Sequence, residues 1–220
     1  MNQNERLNMK ILAIEFSTNY KSVAVGSDGE VIGYCEESVD STLKPFRMIE
    51  MALSKANVDI KEIDCLSVGI GPGSYTGIRI AISVAQGWQL ARNVKLLGIN
   101  TVESMAEKLA YNKLNNKYRI IVDAQRGEFY CADYDVENGG FKCVKELSIV
   151  DSNAIGKTDR VLVGTDIKIK NAIQLAPDAK SIYRLSVNNN NFVEGEKLEP
   201  IYLRQISFVK APPPRILNIT

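Results

Sequence analysis

At 220 residues, with 45% hydrophobic and 24% charged side chains, the chain is long enough for one large domain or two small ones, each with its own core. A formal net charge of +1 provides no field for autonomous binding to nucleic acid, so any RNA contact is local or borrowed from a partner. There is no histidine, which removes Ser-His-Asp and Cys-His nucleophile systems, the HExxH zinc site and every other histidine metal ligand.

Cys35, Cys65, Cys131 and Cys143 lie apart in apolar, strand-like runs without CxxC spacing, the pattern of buried reduced thiols in a cytosolic protein. No apolar run reaches the ~18 residues that span a bilayer, and the polar opening Met1-Asn2-Gln3-Asn4-Glu5-Arg6 lacks the apolar centre of a signal peptide. Patterned sequence begins at Met9, so residues 1–8 are expected to be disordered.

Met9 to Glu15 reads as a compact apolar strand and Ser22 to Ser27 as a second. Ser27-Asp28-Gly29-Glu30 turns tightly into a third over Val31 to Cys35, giving three strands in meander order. In a nucleotide-binding sheet the loop with Glu15, Ser17 and Thr18 would face phosphate. Polar turn chemistry is the favoured alternative, because Lys21 is the only basic residue in the loop.

Pro45 at the first helical turn, followed by Phe46, Ile49, Met51, Ala52, Leu53 and Ala56, predicts an amphipathic helix ended by Asn57. Ile63 to Ile70 reads as a buried strand that breaks sharply at Gly71-Pro72-Gly73-Ser74-Tyr75-Thr76. Glycines there admit a phosphate or another backbone, and Ser74 or Thr76 can cap a helix starting at Gly77. Along that helix to Arg92, only Arg79, Ser83 and Gln86 form a polar stripe. Ile78, Ile80, Ala81, Ile82, Val84, Ala85, Trp88 and Ala91 cover well over half of the circumference, against ~100° for a one-sided surface helix. Such a helix is sandwiched inside its own domain or completes its burial against another subunit.

Val94 to Ile99 is a further strand, and Thr101 caps a helix expected to run to Leu114. The order β-β-β-α-β-α-β-α is that of one half of an actin-like fold. A second unit opens with Tyr118 to Asp123 and Glu128 to Val136 around Gln125-Arg126-Gly127. Phe141 to Val150 and Arg160 to Val163 read as strands and Ile167 to Leu175 as a helix, so the beginning of the pattern repeats. Asn188 to Asn191 mark a loop, and Pro212-Pro213-Pro214 an extended polyproline-like tail. The division expected is a first lobe over 9–115 and a reduced second lobe over 116–204, with 205–220 packing back on the first.

Four segments together resemble the TsaB family, also called YeaZ-like: Ile11-Leu12-Ala13-Ile14-Glu15-Phe16-Ser17-Thr18, the run Gly71 to Arg79, Asp123-Ala124-Gln125-Arg126-Gly127-Glu128-Phe129-Tyr130, and Pro200-Ile201-Tyr202-Leu203-Arg204. The Gly71 to Arg79 run is the specific one, and the likeness extends over the chain from Met9. It implies an α/β, actin-like (ASKHA) two-lobed fold with a reduced second lobe. It further implies a cytoplasmic, non-catalytic scaffold, without cofactor or metal of its own, in making threonylcarbamoyladenosine beside the tRNA anticodon.

On that resemblance, the chain pairs with the transferase TsaD through its first-lobe helices, the ATPase TsaE docks onto the pair, tRNA is met only through the complex, and the isolated chain self-associates. ATP or ADP would belong to the shared interface. The interface residues expected are Phe46, Ile49, Leu53, Tyr75, Ile80, Val84, Gly87, Trp88 and Ala91, and a vestigial nucleotide site would comprise Glu15, Ser17, Thr18, Gly71, Gly73 and Asp123. Two positions depart from the family pattern: Glu15 stands where aspartate is more typical, and Gln125 replaces a common arginine.

Two alternatives are weighed against this reading. An autonomous ATPase would use Glu15, Ser17, Thr18 and Asp123, while a peptidase is disfavoured by the missing histidine. An RNA-binding module would use Arg79, Arg126 and Arg204 with Tyr75, Tyr130 and Tyr202, although no basic stripe with interleaved aromatics is visible. Arg79 is expected to bond a neighbouring carboxylate or loop carbonyl instead.

Overall fold

The computed structural model describes residues 9–37 and 44–203. Arg204, the polyproline tail and the segments 1–8 and 205–220 lie outside the described residues.

β1 (Ile11–Glu15) is buried along its whole length and forms the centre of the first sheet. β2 (Lys21–Ser27) pairs with it antiparallel, and β3 (Glu30–Glu37) pairs with β2. The hairpin between β2 and β3 places Asp28 at φ 55° and Gly29 at φ 82°, the left-handed pair that a two-residue turn needs and that Asp-Gly adopts at little cost. β4 (Cys65–Gly69) and β5 (Lys95–Ile99) extend the other side in parallel, giving the order β3-β2-β1-β4-β5.

Alternation along β1 assigns the two faces. Leu12 and Ile14 meet α1 (Pro45–Ala56) and α2 (Tyr75–Arg92), whereas Ile11 and Ala13 meet a later helix, α5 (Ala179–Val187). α1 starts on Pro45, ends at Asn57 in a left-handed conformation, and buries Met48, Ile49, Ala52 and Leu53. Burial of each large side chain among these contributes roughly 1.5–3 kcal/mol. Ile49 and Leu53 are therefore core residues of the free chain, 2% and 7% exposed, not the open interface positions that the helical pattern predicts.

α2 begins two residues earlier than predicted, with the Ser74 side chain accepting from the Gly77 amide. Its wide apolar surface is mostly absorbed within the chain. Ile78, Ala81, Ile82, Val84 and Ala85 are buried in the first core, and Ile80 and Trp88 are half-buried against it. The segment after α5 accounts for the extra cover: Gln86 donates to the Gly195 carbonyl at 2.8 Å, and the Gly195 amide donates to Gln89 at 2.6 Å. Val84, like Ile49 and Leu53, is thus a core residue. What remains open is a strip with Gly87, Leu90 and Ala91.

α3 (Thr101–Tyr111) is three residues shorter than predicted and is capped by the Asn100 side chain rather than by Thr101. It turns Val102, Met105 and Leu109 toward the second sheet. That sheet has the order β10-β9-β6-β7-β8, from β6 (Asn116–Asp123), β7 (Glu128–Glu137), β8 (Gly140–Asp151), β9 (Val161–Gly164) and β10 (Ile173–Gln174). A short helix, α4 (Ser152–Ile155), follows β8.

No helix forms over 167–175. Asp166 and Asn171 take φ of 55° and 65° and break the segment into turns before β10. The helix comes later, where Asp178 caps α5 through the Ser181 amide. α5 lies inside the stretch assigned to the second lobe, yet Ala179, Ile182 and Tyr183 pack on the first sheet. On the face of the second sheet away from α3, Arg119 grips Asp133 through two hydrogen bonds of 2.7 and 2.8 Å. Among the described residues, no helix is long and apolar enough to cross a membrane.

Candidate functional site: an inter-sheet cleft beside an open helical face

The ends of β1 and β4 meet the start of α2, and the glycines of this junction are filled by the chain itself. A Cβ on Gly73 would sit 2.2 Å from the Ser17 carbonyl oxygen, and one on Gly77 would sit 1.9 Å from that of Phe16. The Ser74 amide, which a phosphate would need, donates to the Ser17 carbonyl at 2.6 Å. Gly71, at φ 94° and followed by a cis peptide to Pro72, accepts from the Thr101 amide at 2.9 Å. Of the two occupants that such glycines admit, a second backbone is the one present.

Glu15 is fully buried. Its carboxyl accepts from the Ser17 amide at 2.7 Å and from the Thr101 hydroxyl at 3.2 Å, and it lies where a side chain on Gly69 would be. Burial pushes this carboxyl above its ordinary range, only partly offset by its Ser17 and Thr101 hydrogen bonds. Enclosed and held by the Ser17 amide and the Thr101 hydroxyl, the carboxyl presents no oxygen to solvent, in keeping with the turn-chemistry alternative for this loop.

Thr18 is engaged in turn chemistry, exchanging hydrogen bonds with Tyr20 at 3.1 and 3.2 Å. Asp123 accepts from the Gln125 amide at 2.6 Å and closes the turn in which Gln125, Arg126 and Gly127 all have positive φ. Ser17 is buried beside Glu15, and among the described residues its hydroxyl makes no hydrogen bond of ordinary geometry.

Between the sheets lies a cleft of about 430 Å³ lined by Ser17, Thr18, Asn19, Ser74, Thr76, Thr101, Asp123, Thr165 and Asp166, among others. Asn19 reaches across to Asp166 at 3.4 Å. Among the described residues, two carboxylates and several hydroxyls line it, with neither lysine nor arginine. The lining therefore does not fit a triphosphate, whose charge requires cations or free backbone amides.

A smaller cavity of about 230 Å³ adjoins it, lined by Tyr75, Tyr130 and Tyr202 with Pro72, Ile78 and Asp123. Arg79 stands at its edge. The guanidinium donates from Nε and Nη2 to the Tyr202 hydroxyl at 3.1 and 3.0 Å, and it stacks 4.5 Å from the Tyr75 ring centre. It contacts neither a carboxylate nor a carbonyl among the described residues, contrary to expectation. The sequence singles out each of these residues but not their convergence, because positions 75, 79, 130 and 202 are brought together only by the fold.

The face outside α1 and α2 is the other candidate surface. Phe46 is 63% exposed, Tyr75 60% and Leu90 90%, while Ile80 and Trp88 are half-buried against the core. Leu90 escapes sequence reasoning although Ala91 does not. Its signal is an apolar residue on the polar side of the wheel, near the helix end.

Comparison with known proteins locates this geometry. A family model described as TsaD, tRNA N6-adenosine threonylcarbamoyltransferase, matches residues 43–208. The chain is 29% identical over 230 residues to the tRNA threonylcarbamoyladenosine biosynthesis protein TsaB of Escherichia coli (strain K12), covering 93% of this chain and 99% of the relative. It is 31% identical over 199 residues to the protein of the same name from Buchnera aphidicola subsp. Schizaphis graminum, covering 82% and 94%. In fold it is similar to YeaZ from Pseudomonas aeruginosa, with a TM-score of 0.77 at 23% identity over 89% of this chain and 100% of that one.

Proposed function

The chain belongs to the TsaB family of tRNA threonylcarbamoyladenosine biosynthesis proteins, and from that membership we propose that it acts as a non-catalytic docking subunit. Its partner is a TsaD-type tRNA N6-adenosine threonylcarbamoyltransferase, received on the face outside α1 and α2. A TsaE-type ATPase joins the pair, tRNA is met only through the assembly, and the whole operates in the cytoplasm. Without the transferase, a second copy of the chain occupies the same face. Any ATP or ADP belongs to the shared interface.

The observation that carries this reading is Leu90, 90% exposed near the end of α2, with Tyr75 exposed at its start and the helix's remaining large apolar residues buried or half-buried. An isolated exposed leucine needs no explanation. Leu90, with Tyr75 exposed on the same helix and Phe46 exposed on α1, both helices packing on the first core, supports an apolar docking surface. The enclosed Glu15 and a cleft without lysine or arginine among the described residues support a role without chemistry of its own.

The test uses Leu90→Asp and Phe46→Ser in the full chain, mixed with the transferase and analysed by sedimentation. Both variants should keep the wild-type unfolding midpoint and lose the heterodimer. Undiminished association of both folded variants overturns the assignment of this face. Threonylcarbamoylation of tRNA by the chain alone overturns the non-catalytic role.

A further inference from the structure

We propose that Arg79, clamped between Tyr75 and Tyr202, is a preformed anchor that receives a single carboxylate of the docked partner subunit. The inference rests on the docking reading above and deepens it.

The guanidinium has five N–H donors. Two are spent on one phenol oxygen, that of Tyr202, a neutral acceptor. The Nη1 edge makes no hydrogen bond, and the charge has no counter-ion, among the described residues. At the same time the group is held from two sides, by the Tyr202 hydroxyl and by the Tyr75 ring at 4.5 Å. The two tyrosine rings are themselves 6.5 Å apart, close enough to brace one another. A long cationic side chain fixed in one direction and left uncompensated has lost its rotamer freedom in advance, so ordering it on binding costs little.

Position and composition point to a protein partner. Tyr75 and Arg79 lie in the first turns of α2, continuous with the open face that runs on to Leu90. Tyr75 and Tyr202 are more than half exposed, at 60% and 55%. Tyrosine and arginine are the residue types that dominate interface energetics when a partner seals them from water.

The charge of the occupant follows from that of the anchor itself. One guanidinium without a counter-ion among the described residues supplies a single positive charge, which a doubly charged phosphate would exceed. A partner aspartate or glutamate carries one negative charge and presents two oxygens in the planar geometry of the unspent edge.

The experiment measures association of the full-length chain with the transferase, from low to physiological salt, for wild type, Arg79→Gln, Arg79→Lys and Tyr202→Phe. Arg79→Gln should weaken association on the order of tenfold or more and flatten the salt dependence. Arg79→Lys should retain the salt dependence but recover only part of the affinity, since an ammonium cannot fork or stack in the same way. Tyr202→Phe keeps the ring and frees the guanidinium, so a loss of a few-fold is expected.

Equal affinities and equal salt slopes for wild type and Arg79→Gln overturn the anchor while leaving the docking face standing. Failure of wild type to associate at all defeats the docking reading itself. Binding of adenosine monophosphate to the wild-type chain, abolished in Arg79→Gln while partner affinity is unchanged, assigns the site to a phosphate and also overturns the proposal.

Discussion

The amide of Ser74 donates to the carbonyl of Ser17 at 2.6 Å, and that one bond decides what the glycine-rich turn is for. The β1–β2 loop occupies the space that a phosphate would take, and Gly77 is required because Phe16 comes within reach of any side chain there. A Cβ at Gly77 would lie 1.9 Å from the Phe16 oxygen, a backbone atom held by the central strand. Gly77→Ala is expected to destabilise the chain by about 2–3 kcal/mol or more, read as a lowered urea midpoint. A midpoint equal to wild type would mean that the loop is free to retreat.

Gly87 lies on the same helix with the opposite requirement, since nothing stands within 4 Å of a Cβ built on it. In an exposed helix interior, Gly→Ala gains roughly 0.5–1 kcal/mol. Gly87→Ala should therefore raise the unfolding midpoint while adding a methyl to the proposed docking face. Greater stability combined with weaker association with the transferase is the expected pair of outcomes, measured by thermal unfolding and sedimentation on one preparation. A rise in stability with unchanged association would show that partners do not approach α2 closely at this position.

Glu15 ties stability to pH. Burial raises its carboxyl above the ordinary value of 4.5, so in the window from that value up to the folded one the native chain retains a proton that the unfolded chain releases. Stability must then fall as pH rises through the window. Glu15→Gln preserves the shape and can still accept from Ser17, but it cannot ionise. Its stability relative to wild type should increase from pH 5 to pH 8, followed by urea unfolding at each pH. A constant difference would mean that the folded chain's carboxyl is already ionised at pH 5, as the unfolded chain's is.

Much of the fold is legible in the sequence where a local rule has a single solution. Asp28-Gly29 gives a two-residue hairpin, Pro45 and Asn57 bound α1, and the break at Gly71 forces a strand into a helix. α5 is less legible because its buried side is only partly apolar. Ser181 and Ser186 are buried, and the Ser186 hydroxyl bonds that of Ser67 at 2.6 Å, so the helical spacing of Ala179, Ile182 and Tyr183 is diluted. Thr101 looks like the cap of α3, but its hydroxyl is drawn to Glu15, and Asn100 takes the capping role. The wheel of α2 identifies its apolar residues without revealing that the segment around Gly195 covers some of them. The cluster of Tyr75, Arg79 and Tyr202 depends on a contact across 123 residues of sequence, which no local pattern encodes.

Asp133 offers a test on the second sheet, remote from the docking face. Arg119 holds both of its oxygens, and Arg160 approaches at 3.6 Å. Burial works against its charge, but the Arg119 hydrogen bonds and the charges of Arg119 and Arg160 outweigh it and hold the carboxyl below its ordinary 3.8. Asp133→Asn takes from Arg119, 12% exposed, the carboxylate that holds it, while Arg160 keeps Asp135 at 2.6 Å. Removing one partner of a buried pair costs about 3 kcal/mol or more. Because the folded value is depressed, this stabilisation is present above the ordinary carboxylate value and disappears as pH falls through the folded one. The gap between wild type and Asp133→Asn should therefore be widest near neutrality and close in acid. A gap that persists unchanged into strong acid would mean that packing around residue 133, and not its charge, holds this face of the sheet together.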